Sequence, residues 1–231
     1  MANRIMQWAL AIVLVARFAT TVLHLVIASE FGHNTKELKL KMEQQYSDIL
    51  ALLRNHNAST DAKQSSINQL KAHIKHHIVP ASVVPLAFTI LQIALSSSQL
   101  VENGFSTLTH LVKRLSLQNL ESVLGAQAAK LLPVLVDRLG DSKDRVQERA
   151  IHALTEFWPV IPQEVESVIR DKALVGKSVR AKQGAMQWIL KMHSNSTMPL
   201  KTFVPNIVSC LEDADGIVRD VAKITIIQLF T

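Results

Sequence analysis

Residues 131–158 read LLPVLVDRLGDSKDRVQERAIHALTEFW, and the spacing within them decides the fold. Leu131, Leu132, Leu135, Val136 and Leu139 form one helical stripe, and Val146, Ala150, Ile151, Leu154 and Phe157 form a second. Steps of three and four residues put each set on one helix face. Between them GDSKD, residues 140–144, is a polar turn. Gly140 is expected to end the first helix in the left-handed conformation, with Asp141, Ser142 and Asp144 as candidate N-caps for the second. The unit is a helical hairpin whose turn sends out Lys143, Arg145 and Arg149.

The rest of the chain varies this unit. Pro133, Leu135, Val136, Leu139, Asp141, Val146 and Ala150 fall in register on Pro205, Ile207, Val208, Leu211, Asp213, Val218 and Ala222. Ala62, Val101, Val179 and Val218 occupy the place of Val146 in the other units. Apolar periodicity and turn residues predict helices over 42–55, 61–78, 82–95, 99–115, 163–173, 178–192, 199–211 and 217–230, besides the opening unit over 125–158. Two helices per period of about 40 residues indicate HEAT-type repeats. The expected fold is therefore an all-α HEAT-repeat solenoid of about five hairpins, with the intra-repeat turns in line along one edge. Lys63, Lys143, Arg145, Lys177, Arg180, Lys182 and Arg219 stand at or just after those turns, and Asp141, Asp144, Asp213 and Asp215 dilute them.

Composition agrees. Of 231 residues, 48% are hydrophobic and 19% charged, enough apolar surface for a sizeable core and too much for wholesale disorder. Scarce glycine and 5% aromatics favour helices over a sandwich or barrel. The net charge of +6 is compatible with an acidic partner, and charge alone does not choose among nucleic acid, an anionic membrane and an acidic protein surface. The single cysteine, Cys210, excludes an internal disulfide and, lying in an apolar helical run, is expected to be buried and inert.

Residues 5–29 are nearly all apolar, broken by Arg17 and His24. They read as a membrane span, a secretory signal, a helix packed on the following domain or a misassigned start. Arg17 opposes the first reading, at a cost of ~3 kcal/mol in a bilayer centre. Residues 31–41 read as a linker, giving an apolar N-terminal segment with linker over 1–35 and the repeat domain over 36–231.

Nothing points to an enzyme. His73 and His77 have the i, i+4 spacing of a zinc pair but no Glu between them and no evident third ligand, so no metal or cofactor is expected. Phosphate loops and nucleophile motifs are absent. Asn57-Ala-Ser and Asn195-Ser-Thr are glycosylation sequons, relevant only to a secreted chain. Aromatics are too few and the cations too scattered in sequence for nucleic acid.

LPVLVDRLGDSKDRV at 132–146, with FVPNIVSCLEDADGIVR at 203–219, resembles the signature of the TOG domains of the CLASP family, most closely its fungal branch. The resemblance covers about 42–231. It implies a flat HEAT array that binds αβ-tubulin and microtubules through the intra-repeat turns. It also implies a microtubule-stabilising role that promotes rescue and supports the mitotic spindle, in cytoplasm and cytoskeleton and, in closed mitosis, in the nucleus. On that reading the tubulin-facing residues are Lys63, Lys143, Arg145, Lys177, Arg180 and Arg219. Two features depart from the family: the first turn, Asn57-Ala58-Ser59-Thr60, lacks the tryptophan many tubulin-binding TOG domains place there, and the family's sixth repeat is missing, as for a fragment. The alternative is a generic HEAT scaffold, tethered to membrane by residues 5–29.

Overall fold

The computed structural model describes residue 37, residues 39–195 and residues 198–230, and every regular element among them is a helix. The apolar stretch over 5–29, most of the expected linker and Ser196-Thr197 of the second sequon lie outside the described residues. The chain divides into two compact units, Met1–Gln45 and Tyr46–Thr231. In the first, residues 39–45 are helical, so helix begins before Met42. Lys39 pairs there with Glu43 at 3.9 Å and Lys41 with Glu37 at 2.9 Å, i, i+4 pairs of the kind worth a few tenths of a kcal/mol.

The second unit is the solenoid. After α1, which covers residues 46–54 of this unit, come α2 (Thr60–His76), α3 (Val84–Ser96), α4 (Val101–Leu117), α5 (Glu121–Ala128), α6 (Leu132–Leu139) and α7 (Asp144–Phe157). Then follow α8 (Pro162–Val168, prolonged by a π turn over Ile169–Ala173), α9 (Val179–Asn195), α10 (Val204–Ser209) and α11 (Gly216–Phe230). In one layer α2 packs on α4, α4 on α7, α7 on α9 and α9 on α11, while α3, α6 and α8 follow one another in the other. Proline stands in the first turn of α3, α6, α8 and α10, where its missing N–H costs nothing and its fixed φ suits a helix start. The stripes of the opening hairpin are buried nearly throughout: Leu131, Leu135, Leu139, Val146, Ala150, Leu154 and Phe157 are fully enclosed and Leu132 and Ile151 are buried, whereas Val136 is half-buried and Val134 points inward instead.

Three sequence readings need correction. The stretch read as a connection after α4 contains the start of a separate helix, α5, which packs on α3 and α4. Only Leu124 and Ala128 point inward from its eight residues, too few to make a visible period. Asn119, at φ 54, turns the chain into it.

Gly140, second, is not left-handed; it sits at φ −90 and ψ 6. Its small size is needed for close approach instead. A Cβ there would lie 2.7 Å from Ser178 Oγ, which accepts the Ala181 N–H, and 3.5 Å from the Ala181 methyl.

Third, the register of two repeats shifts. The first helical bonds of α2, α4, α7, α9 and α11 end on Ser59, Leu100, Lys143, Ser178 and Asp215 carbonyls. The residues in the place of Val146-Gln147 are therefore Asn103-Gly104 and Ala181-Lys182, each two beyond Val101-Glu102 and Val179-Arg180.

Under α1 the Tyr46 hydroxyl, fully enclosed, lies 3.3 Å from His73 Nδ1. Burial, then the charge of His77, hold the His73 imidazole below its usual range. Burial, then Lys75, Lys71 and Lys113, do the same to His110. An unfolded chain takes up both protons as pH falls through about 6.5, while the folded chain resists, so stability present above that pH is lost on acidification toward the folded values. The denaturation midpoint should fall between pH 7.5 and 5.5, and His73→Gln/His110→Gln should flatten that fall. An unchanged slope in the double variant would refute the assignment.

Candidate functional site

The intra-repeat turns lie over 55–59, 97–100, 140–143, 174–178 and 213–215, and side chains tie each to the next. The Thr60 hydroxyl donates to Gln99 Oε1 at 2.9 Å, and Gln64 Nε2 to the Gln99 carbonyl at 3.2 Å. Arg138 joins the second turn to the third. Its Nε and Nη2 donate to the Leu95 and Ser96 carbonyls, both at 2.6 Å, and its Nη1 to Asp141 Oδ2 at 2.8 Å.

Arg180 joins the third turn to the fourth, donating from Nε to the Asp141 carbonyl at 2.7 Å and from Nη2 to Asp144 Oδ1 at 2.6 Å. Beneath it Gln147 Nε2 donates to the carbonyls of Leu139 (2.7 Å) and Arg180 (3.1 Å). The fourth and fifth turns are joined by the Lys182–Asp213 ion pair. Arg219 Nη1 stays within the fifth, on the carbonyls of Asp213 (2.7 Å) and Ala214 (2.9 Å).

The Arg138 tie to Leu95 and Ser96 has a plain physical origin. The last carbonyls of a helix have no intrahelical partner and carry the negative end of its dipole. A guanidinium from the next repeat satisfies two of them at once. Arg114 repeats the device away from the turns, on the carbonyls of Ile74, at 2.9 Å, and Lys75.

The carboxylates of this edge are committed in the same way. Burial would raise the Asp141 carboxyl, but the Lys143 N–H, the Arg138 guanidinium and the charges of both outweigh it and hold the group low. Asp213 is held low by Lys182 first, then by the Asp215 N–H, against burial. The side-chain cap expected at the start of α7 is not made. Ser59 Oγ accepts the Ala62 N–H at 3.2 Å, whereas α7 starts on Lys143 without a side-chain cap, and Asp141 accepts the Lys143 N–H at 3.0 Å instead.

The six basic residues read from the sequence thus fall on one edge but in two groups. Arg180 and Arg219 are half-buried and fasten turns. Lys143 and Lys177 are exposed, Lys63 is half-buried, and none of the three ammonium groups has a hydrogen-bond or ion-pair partner among the described residues. Arg145, its side chain 73% exposed, reaches Glu102 at 3.6 Å, and Arg149 reaches the same carboxylate at 3.2 Å. Arg138 and Gln147 were missed as edge residues. Arg138 stands in the last turn of α6, where a basic side chain suits orphan carbonyls, so that signal was available; nothing local marked Gln147.

The remaining candidates behave as side chains of the core or surface. The His73 and His77 rings lie 4.7 Å apart, and among the described residues no group of three or more His, Cys, Asp or Glu could hold a metal ion. Cys210 is buried, its thiol pushed up by that burial. The first turn places Asn57, Ala58 and Ser59 at the edge, while Trp188 is buried and the half-buried Trp158 packs against it. Among the described residues no helix is long and apolar enough to cross a membrane.

A family model described as CLASP N terminal matches residues 42–231. Protein stu-1 of Neurospora crassa is 44% identical over 190 residues, 81% of this chain and 16% of its own length. The chain spans about a sixth of the length of the curated relatives it matches. Among solved structures, the MAST/Orbit N-terminal domain superposes with a TM-score of 0.67 at 22% identity, over 79% of this chain and 82% of that one. A chain from work on TOG–tubulin binding specificity superposes at 0.66 with 19% identity, over 80% and 71%. At such identities the superpositions speak for the fold.

Proposed function

The chain belongs to the CLASP N-terminal family, and from that premise we propose that residues 36–231 are a non-enzymatic TOG-like module that binds αβ-tubulin and microtubules. The proposed role is microtubule stabilisation, at the cytoskeleton and the mitotic spindle, and in the nucleus where mitosis is closed. The observation that carries the reading is the row of fastened turns with the unpaired ammonium groups of Lys143 and Lys177 at its middle. Tubulin's surface is acidic, and exposed cations facing it steer encounter and add charge-assisted bonds.

Within the edge the six residues divide their work. Lys63, Lys143, Arg145 and Lys177 present charge. Arg180 and Arg219 hold the turns at the spacing that lets the others act together. A first turn without tryptophan leaves the edge dependent on these charges, so binding should weaken steeply with salt.

Co-sedimentation of the full chain with microtubules tests this. Lys143→Ala/Lys177→Ala should raise Kd about tenfold, equivalent to roughly 1.4 kcal/mol, without changing thermal stability. Unaltered binding by the double variant would overturn the turn-edge assignment.

A further inference from the structure

α2 and α4 pack side by side, and beyond their first turns neither carries a carboxylate. Residues 62–79 and 103–120 contain no Asp or Glu, yet they hold five Lys or Arg and four of the chain's nine histidines. Lys71 and Lys75 are one turn apart on α2, Lys113 stands on α4, and all three are close enough to His110 for their charges to oppose its protonation. None of the three ammonium groups has an ion-pair partner among the described residues.

Elsewhere in the array several cations are answered, although Lys143 and Lys177 of the turn edge are not. Arg145 and Arg149 meet Glu102, Arg170 meets Glu166 and Asp171, Arg180 meets Asp144, and Lys182 meets Asp213. Like charges one helical turn apart oppose the fold by a few tenths of a kcal/mol each. The face of α2 and α4 keeps that cost without a local counter-charge.

The kind of anion follows from what the face lacks. Its one arginine, Arg114, is committed to the Ile74 and Lys75 carbonyls, so no guanidinium fork is free for bidentate phosphate recognition. No Phe, Tyr or Trp side chain is exposed on either helix as a platform for base stacking, since Phe105 is buried. At the far end the Gln118 side chain bonds both the N–H (2.9 Å) and the carbonyl (2.8 Å) of Val79, drawing the two helix ends together. Beside that tie Ile78 and Leu117 are 71% and 69% exposed. Two aliphatic side chains are too little apolar area for stable burial in a bilayer, but enough for one apolar residue of a peptide.

We propose that the α2–α4 face is a docking surface, distinct from the turn edge, for an acidic peptide segment. Its Asp and Glu side chains would meet Lys71, Lys75 and Lys113, and an apolar residue would cover Ile78 and Leu117. This does not depend on the tubulin reading.

Fluorescence anisotropy of the full chain with a labelled twelve-residue Glu-rich peptide ending in leucine tests it. Lys75→Glu/Lys113→Glu should raise Kd at least tenfold. Lys143→Glu/Lys177→Glu, with the same change in net charge, should raise it less than threefold. The milder Lys75→Gln/Lys113→Gln should keep that order, so that misfolding is not mistaken for lost contact. Equal losses in the two charge-reversed variants would reduce the effect to net charge and overturn the proposal. So would displacement of the peptide by duplex DNA or phosphatidylserine vesicles at lower concentrations than by unlabelled peptide.

Discussion

Replacing Trp188 by alanine is expected to lower the unfolding free energy by about 3–5 kcal/mol, the usual cost of emptying a fully buried aromatic site. Trp188 is wholly enclosed in α9 and stands between two other rings. Trp158, at the end of α7, meets it edge-on with centroids 5.6 Å apart, and Phe203, just before α10, does so at 6.2 Å. The third, fourth and fifth repeats therefore share one aromatic contact. Against a typical total of roughly 5–15 kcal/mol, the loss would unfold much of the population at physiological temperature.

Trp188→Phe separates packing from polarity. The indole Nε1 is buried without a hydrogen-bond partner among the described residues, so phenylalanine removes an unsatisfied donor while leaving a smaller void. Its expected cost is about 1 kcal/mol. Urea denaturation monitored by circular dichroism reads both variants. If phenylalanine were as damaging as alanine, the indole N–H would have a partner and the contact would be misdescribed.

Arg138→Ala is expected to cost about 2–3 kcal/mol. The guanidinium and its partner Asp141 are only 16% and 13% exposed, so water does little to screen their pair or to take over the bonds. Removing it strands the Leu95 and Ser96 carbonyls at the end of α3 and leaves Asp141 without its counter-charge. Arg138→Lys should recover only part of the loss, because one ammonium cannot serve two carbonyls and a carboxylate in the fork geometry that Arg138 uses. A loss within 0.5 kcal/mol of zero on alanine substitution, roughly the range of ordinary surface changes, would mean that the turns are not fastened this way. Arg138 is not among the exposed cations, so its variant should act on stability first.

The helices of the hairpins, α5 apart, and their pairing were legible because they depend on local rules. Apolar residues at three- and four-residue steps bury one face, and proline in a first turn starts a helix. The recurrence of both at about 40 residues makes stacking of neighbours the only way to cover the faces. The row of turns followed from that topology. The family, too, could be read from LGDSKDRV and its partner near the end of the chain.

What each charged residue of the row does was not legible, and Arg180 shows why. In sequence it is one more cation after a turn, of the same kind as Arg145. In the fold its guanidinium closes on Asp141 and Asp144, more than thirty residues back, and is spent on holding them. Gly140 is the same case: its place at the end of a helix suggested a left-handed residue, but the demand on it comes from Ser178 in the next repeat.

By itself the sequence determined the helical hairpins, their number and the edge on which the turns fall, because helix formation and amphipathic burial are set by residues within a few positions of one another. Only the tertiary structure decided which cations remain free. The orphan carbonyls and carboxylates that consume the others belong to neighbouring repeats, and the distance to them is fixed by packing between layers rather than by spacing along the chain.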